Sequence, residues 1–117
     1  MQVKAITHNI RMSAQKMREV VRQIQGLPAA KAQAVLAVVP RKSARFVAKT
    51  LDSAVANAED LKRNNKDYQG LNTDKLWIKE AVAGTATTLK RFVPKARGSA
   101  GPILKRSCHV KIVLSDE

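Results

Sequence analysis

The side chains that could do chemistry in this sequence are its lysines and arginines, which are concentrated in stretches without acidic residues. The chain has 22 Lys and Arg against 9 Asp and Glu, which gives a formal net charge of +13. Residues 1–18, 20–51 and 81–115 contain no acid. An ordinary solvated surface mixes the two signs, so this segregation favours contact with a phosphate backbone. The alternative is an accidental excess of lysine, which the self-repulsion of a small protein at this charge disfavours.

The sequence offers little for enzymatic or metal chemistry. His8 and His109 have no partner at ligand spacing, and Cys108 is predicted to be a small, partly buried side chain. Carboxylates such as Glu19 and Glu80 are isolated, with no visible partner. No glycine-rich phosphate loop and no nucleophile with a placed base are present. These observations disfavour an enzyme, a cofactor and a small-molecule substrate.

Length and composition indicate a single domain over residues 1–117. Hydrophobic residues make up 44% of the chain, enough for an apolar core, whereas aromatic residues make up 3%, too few for binding single strands by base stacking. No stretch approaches the roughly 20 apolar residues of a membrane span. The single cysteine forms no internal disulfide, and residues 1–10 lack the pattern of a secretory signal. A cytoplasmic protein is therefore expected.

The first half of the chain is predicted to form one strand and three helices. A weak alternation over 1–9 indicates the strand. Ser13 is a suitable N-cap for an amphipathic helix over 14–25. An alanine-rich helix is predicted over 29–39, and the longest helix is predicted over 41–62. Its apolar stripe is mostly alanine, so another element can approach it closely.

The start of the longest predicted helix has an unfavourable charge distribution. Its first half carries four cations, which are Arg41, Lys42, Arg45 and Lys49. The positive end of a helix dipole is stabilised by acids, so these cations are predicted to serve a partner and not the helix. Asn57 lies further along, where asparagine is a poor helix former. It hydrogen-bonds RNA or caps a neighbouring element, or it stays exposed on the polar side.

The second half of the chain is predicted to contain two strands, from Leu76 onward and over 110–114, after a polar loop over 63–75. Residues 84–108, between the strands, have few large apolar side chains and cannot build a core of their own. They form either a disordered basic loop or two antiparallel arms held by an external surface. The flanking strands favour the arms, with a turn at 93–96. An isolated ribbon is marginally stable in water, so we expect its tip to be mobile when free and fixed when bound.

A DNA-binding protein is a second hypothesis, because the helices over 14–25 and 41–62 could act as recognition helices. The connection between them is another helix and not a tight turn, and the cations are distributed along several elements. Competition between duplex DNA and structured RNA distinguishes the two hypotheses.

Four blocks of the sequence match the signature of a known family. They are SAQKMREVVRQIQG (13–26), SAVANAE (53–59), LKRFVPKARG (89–98) and ILKRSCHVKIVL (103–114). Because they occur in the family's order and spacing, the chain resembles universal large-subunit ribosomal protein twenty-two over nearly its whole length.

The resemblance implies an α+β fold with three helices packed on a small three-stranded antiparallel sheet and a long protruding β-hairpin over about 84–104. It implies a structural constituent of the large ribosomal subunit, in the cytoplasm, that binds large-subunit rRNA and supports subunit assembly. The hairpin is expected to line the polypeptide exit tunnel, beside the nascent polypeptide. Neighbouring large-subunit ribosomal proteins are further expected partners. No enzymatic activity, cofactor, metal or membrane span is implied.

The charge pattern and the resemblance together predict the RNA-binding residues. The acid-free stretches contribute Arg11, Arg41, Lys42, Arg45 and Lys49. The resemblance adds Ser13, Gln15, Lys16, Arg18, Asn57, Lys90, Arg91, Lys95, Arg97, Gly98, Lys105, Arg106 and His109. Arg97 could fork onto a phosphate, a geometry that lysine cannot copy. Gly98 allows the backbone to approach a partner closely or to bend with a positive φ. The alternative is that it only makes the chain flexible.

The chain departs from the family pattern at three places in the hairpin. Ala86 stands where most relatives have a glycine, and Ser99 stands where relatives often have an arginine. Gly101 and Pro102 are expected to interrupt the returning arm, because proline removes a donor from the ladder of hydrogen bonds. These departures bear on the detailed shape of the hairpin and on one phosphate contact.

Overall fold

The structure is a computed structural model that describes residues 1–117. Its three helices and antiparallel strands confirm the predicted α+β class. The elements in chain order are β1 (Gln2–Ile10), α1 (Ala14–Ile24), α2 (Ala29–Val38), α3 (Lys42–Asn64), β2 (Trp77–Thr85), β3 (Leu89–Pro94), β4 (Ala100–Lys105) and β5 (Cys108–Ser115).

β1, β5 and β2 form a three-stranded antiparallel sheet with β5 in the middle. Val110, Ile112 and Leu114 of β5 are buried, as the two-residue period of a strand requires for one covered face. Val3 and Ala5 of β1 pair with residues of this face and are buried with them. α1 and α3 cover this face and α2 packs on α3, so the sheet and the helices share one core.

The helices begin and end close to their predicted residues, because the local signals are strong. The Ser13 side chain caps α1 by accepting a hydrogen bond from the Lys16 backbone N–H at 3.4 Å. Gly26 follows α1 with a φ of +82°, which glycine adopts without strain. α2 ends at Val38, two residues before Pro40. None of the helices combines the length and the apolar composition needed to cross a bilayer.

α3 packs on β1 and β5 and also against the other two helices. Its 23 residues make it roughly 35 Å long at about 1.5 Å per residue. Ala54 and Ala58 are fully buried beside Leu51, so the predicted alanine stripe faces the core. The hydroxyl oxygens of Thr50 and Thr7 lie 2.6 Å apart and tie the helix to β1. The core thereby sets the position of the first turn of α3, where the cations cluster.

β2 contains a bulge that strict alternation does not predict. Its register with β5 shifts between Ile78 and Glu80. After the shift, Ala81 and Ala83 are buried whereas Val82 is 42% exposed. Strict alternation would place Ile78, Glu80 and Val82 on one face, but the bulge transfers the side chains that follow it to the other face.

The polar segment between α3 and β2 is held by two short asparagine turns. The Asn65 side-chain oxygen accepts from the Asp67 N–H at 3.0 Å, and that of Asn72 accepts from the Asp74 N–H at 3.1 Å. The loop was predicted to start at residue 63, but it starts after Asn64, because α3 continues to that residue.

β3 and β4 form a separate two-stranded antiparallel sheet, and their contacts are chiefly with each other. The register places Leu89 opposite Lys105 and Pro94 opposite Ala100. We call residues 89–105 the ribbon. Short irregular segments separate it from β2 and β5. The whole molecule measures 67 × 28 × 16 Å and is strongly elongated.

The turn of the ribbon lies further along the chain than the predicted turn at 93–96. Pro94 still belongs to β3, and the chain reverses over 95–99, where the first N–H donates a hydrogen bond to the last carbonyl oxygen. Arg97 and Gly98 have φ values of +59° and +74°. The left-handed backbone that reverses the chain is found at these two residues, so the position of Pro94 did not determine the turn.

Gly101 and Pro102 do not interrupt the returning arm, contrary to the expectation. β4 runs through both residues, and Pro102 lies opposite Phe92. Each strand of a two-stranded ribbon has a free edge, and proline is tolerated where its nitrogen faces such an edge. The alkyl chain of Lys95 lies over Gly101, at the place that a β-carbon would occupy. Glycine therefore lets this lysine pack onto the ribbon.

Candidate nucleic-acid interface

Nearly all of the cations lack an acidic partner. Among the 22 lysine and arginine side chains, only Arg41 forms an ion pair, with Glu19. The interpretation of Glu19 as an isolated carboxylate is therefore wrong. Both side chains of the pair are about half exposed, so the pair contributes little to stability. The remaining cations carry charge that an external polyanion can neutralise.

A groove opens near the place where the ribbon leaves the body of the protein. It has a volume of about 460–900 Å³, depending on how much of its open mouth is included. Four predicted RNA-binding residues line it, which are Ser13, Gln15, Lys16 and Arg106. Thr85, Thr88 and Ser107 also line it. We call it the base groove. Its hydroxyl, amide and cationic groups can donate hydrogen bonds, which phosphate and ribose oxygens accept.

A smaller pocket lies at the start of α3 and shares Lys16 with the base groove. Its volume is about 300 Å³. The residues that line it are Met12, Lys16, Glu19, Arg41, Lys42 and Ser43. We call it the helix-start pocket. It brings cations from α1 and α3 together, although they are far apart in the sequence.

A third depression lies between α2 and α3. It shares Arg41 and Lys42 with the helix-start pocket and adds Arg45. The base groove, the helix-start pocket and this depression therefore adjoin through shared residues. We call the three together the cationic path. A nucleic-acid backbone is a ligand of matching charge and shape for such a surface.

Two predicted arginines bond carbonyl oxygens near the base of the ribbon. Arg11 Nη1 donates to the Arg106 carbonyl oxygen at 2.5 Å, and Arg18 Nε donates to the Ala83 carbonyl oxygen at 3.0 Å. A guanidinium group has five N–H donors, so each arginine keeps donors for another partner. These two residues therefore brace the strands and still present positive charge.

The ribbon presents its cations to solvent. Five of its predicted RNA-binding side chains are exposed, which are Lys90, Arg91, Lys95, Arg97 and Lys105. Arg91 Nη1 donates to the neighbouring Lys90 carbonyl oxygen at 2.8 Å, and no acid occurs between residues 81 and 115. Gly98 provides the left-handed bend of the turn. Its contact with RNA stays a prediction.

Asn57 and His109 have partners within the protein. Asn57 Nδ2 donates to the Lys4 carbonyl oxygen at 3.2 Å, which links α3 to β1. His109 Nδ1 accepts from the Asn9 N–H at 3.0 Å, and its ring lies edge-on to His8 with 5.0 Å between the ring centres. Of the alternatives for Asn57, the structure favours a bond to a neighbouring element. RNA contact by these two residues stays a prediction.

Two further predicted residues lie outside the cationic path. Lys49 is exposed on α3 and lines none of its three parts. Lys105 is exposed at the end of β4. Their contacts with RNA stay predictions.

Sequence reasoning missed several residues of this surface. Thr85, Thr88 and Ser107 line the base groove, and Ser43 lines the helix-start pocket. Phe92 is 73% exposed on the ribbon, where it could contact a base or an apolar side chain. The signal for the first three was a hydroxyl near one end of the segment 84–108, where it adjoins a predicted strand. No local signal singles out Ser43.

Cys108 is fully buried, deeper than predicted. Burial raises the pKa of its thiol, so the thiol stays protonated at neutral pH and is a poor nucleophile. No group of three or more His, Cys, Asp or Glu side chains is arranged to hold a metal ion.

The protein has a basic α+β body with adjoining cationic grooves, and its projecting ribbon contains no acids. This combination is typical of proteins that bind nucleic-acid backbones. Comparison with known proteins gives a more specific assignment. The sequence profile of "Ribosomal protein L22p/L17e" matches residues 5–115.

Individual relatives are similar to this chain over nearly their whole length. The chain is 50% identical over 116 residues to "Large ribosomal subunit protein uL22" of Opitutus terrae, covering 99% of this chain and 96% of the relative. Proteins of the same name from Akkermansia muciniphila and Chloroflexus aggregans are 42% and 43% identical over 117 residues, covering 100% of this chain and 98% and 97% of the relatives. The chain belongs to the ribosomal protein L22p/L17e family. This family is structural and not enzymatic.

Proposed function

We propose that this chain binds large-subunit rRNA through the cationic path and the ribbon, that the ribbon lines the polypeptide exit tunnel, and that these contacts support subunit assembly. Its family makes the chain a structural constituent of the large ribosomal subunit, in the cytoplasm. The partners are then rRNA, neighbouring ribosomal proteins and, at the ribbon, the nascent polypeptide.

The observation that carries the proposal is the uncompensated charge. Only Arg41 among the lysines and arginines has an acidic partner. Five cations line one path from the helices to the base of the ribbon, which are Arg45, Lys42, Arg41, Lys16 and Arg106. Phosphate oxygens neutralise such charge and release counterions, which favours binding. RNA shape and ribose hydroxyls then decide which part of the rRNA fits the surface.

The shape of the ribbon supports its placement inside a ribonucleoprotein. β3 and β4 pack chiefly on each other, and the ribbon side chains are largely exposed. A two-stranded ribbon by itself is marginally stable in water. An RNA wall that binds the exposed cations supplies the missing support, and the narrow ribbon leaves room beside it for a polypeptide.

Photo-crosslinking in assembled large subunits tests this proposal. A photoreactive amino acid is introduced at Phe92 or Arg97 of the full chain, and ribosomes carrying a stalled nascent polypeptide are irradiated. We expect crosslinks from the ribbon to rRNA and to the nascent polypeptide. The matched control position is Val38, which is 80% exposed on α2 and outside the ribbon, and it should not reach the nascent polypeptide. Absence of rRNA crosslinks from both ribbon positions contradicts the proposal.

A further inference from the structure

The first turn of α3 has no side-chain cap. Arg41 occupies the N-cap position, its side chain accepts no hydrogen bond from the helix, and the first turn contains no acid. The Ala44 N–H donates to the Arg41 carbonyl oxygen at 3.1 Å, which leaves the N–H groups of Lys42 and Ser43 without a partner. The first N–H groups of an α-helix have no partner within the helix. The helix dipole adds partial positive charge at this end. Such a terminus attracts an anion.

A buried hydroxyl in the same turn also lacks a partner. Ser43, the second residue of α3, is 1% exposed, and its Oγ makes no hydrogen bond within the protein. It is the only buried side-chain polar atom in the structure without one. Buried polar groups are nearly always hydrogen-bonded, so an exception calls for an explanation. A ligand that enters the helix-start pocket would supply the missing partner.

The lining of the helix-start pocket supplies charge for an anion. Lys16 of α1 and Lys42 of α3 line it together with Ser43. Glu19 lines it as well, but its carboxylate is paired with Arg41. The pocket therefore keeps an excess of positive charge beside the free N–H groups.

We propose that the helix-start pocket is a phosphate-binding site. In it, Ser43 Oγ and the N–H groups of Lys42 and Ser43 donate to a backbone phosphate of the rRNA, and Lys16 and Lys42 neutralise its charge. The proposal rests on the proposed function, because the phosphate belongs to the bound RNA. The phosphate then caps α3 in the assembled particle, which accounts for both the missing cap and the unpartnered hydroxyl.

The substitution Ser43→Ala separates binding from folding, because its two effects have opposite signs. Removing an unpartnered buried hydroxyl from a helix favours the free fold, so we expect an unchanged or slightly higher Tm. Loss of a hydrogen bond to a charged phosphate should weaken the affinity for large-subunit rRNA by about tenfold at fixed salt. A purely structural role for Ser43 would lower the Tm and the affinity together, and this result overturns the proposal.

Inorganic phosphate is the probe for the free, full-length protein. Its addition should shift the backbone amide NMR signals of residues Lys42 and Ser43, and the shift should be smaller in the Ser43→Ala and Lys16→Gln variants. Lys62→Gln is the matched control, because Lys62 is an exposed cation in the last turn of the same helix. Phosphate shifts that Ser43→Ala and Lys16→Gln leave unchanged argue against the site.

The outcomes also separate this inference from the proposed function. If wild-type protein binds rRNA with steep salt dependence but Ser43→Ala binds equally well, the phosphate site is rejected and the proposed function stands. If the wild-type protein shows no salt-dependent binding, the proposed function is contradicted, and the phosphate site is contradicted with it.

Discussion

At the residue scale, a small group of polar contacts joins the two ends of the chain. The amine of Met1 lies 3.1 Å from Asp116 Oδ1, and the Asn72 N–H donates to Asp116 Oδ2 at 3.2 Å. The hydrogen bond from Asn72, followed by that from the amine, lowers the pKa of Asp116. Hydrogen bonds to Asp116 and Glu117 raise the pKa of the Met1 amine. Trp77 Nε1 closes the group by donating to the Glu117 carbonyl oxygen at 2.6 Å.

These shifts predict a pH-dependent contribution to stability. Asp116 has a lowered pKa when folded, so its stabilisation is present at neutral pH and is lost as the pH falls through the folded pKa, below about pH 4. Asp116→Asn should therefore lower the Tm at pH 7, and the gap to the wild type should close in acid. Thermal unfolding followed by circular dichroism at several pH values measures the Tm of the variant and of the wild type. Asp67→Asn, at an exposed acid outside the group, is the control. An equal gap at every pH contradicts the assignment.

The predictability of single residues depends on whether their role is local. The cations of the ribbon could be identified from the sequence, because an exposed charge without nearby acids is a local property. The partners of Asn57 and Glu19 lie on distant segments, Lys4 and Arg41, so only the fold brings them together. The unpartnered hydroxyl of Ser43 likewise depends on how α1 and α3 pack at the helix-start pocket.

At the scale of elements, the ribbon and the body are joined but structurally distinct. The Ala86 N–H donates to the Ser107 carbonyl oxygen at 3.1 Å, so the two sides of the junction are adjacent at the base of the ribbon. The apolar core lies within the body: its buried cluster ends at Ala83 on one side and resumes at Cys108 on the other. We therefore expect the body to be stable without the ribbon.

Removing the ribbon tests this separation. A variant that joins Ala86 to Ser107 through an Asn-Gly turn should fold, because two such residues close an antiparallel pair. We expect its free energy of unfolding to differ from that of the wild type by less than about 1 kcal/mol, since an isolated ribbon contributes little stability. Chemical denaturation measures this difference. A variant that is unfolded or has lost cooperative unfolding would show that the ribbon stabilises the body.

The elements themselves were predictable to different degrees. α1 and α2 begin and end near strong local signals, the Ser13 cap, Gly26 and Pro40. The bulge in β2 was not predictable, because it depends on register with a strand some thirty residues later in the chain. The turn was predicted at 93–96 and lies at 95–99. Pro94 gave a plausible local signal, but the left-handed backbone of the residues that follow determines the bend.

At the scale of the whole molecule, charge and shape act together. A net charge of +13 on an elongated molecule of 67 × 28 × 16 Å spreads positive potential over a long surface. Self-repulsion disfavours this arrangement in the free protein, and a polyanion relieves it. The sequence predicted this partner class from charge alone, whereas the continuity of the cationic path required the packing of α1 against α3.

The salt dependence of rRNA affinity tests the central claim most directly. For wild-type protein, the affinity for large-subunit rRNA should fall by about a thousandfold or more between roughly 50 and 200 mM salt, as for a surface that binds six or more phosphates. Arg91→Gln should reduce the slope of log affinity against log salt by about one, whereas Lys62→Gln should leave it unchanged. An affinity that does not change with salt, or duplex DNA that outcompetes the rRNA at equal salt, would contradict the account.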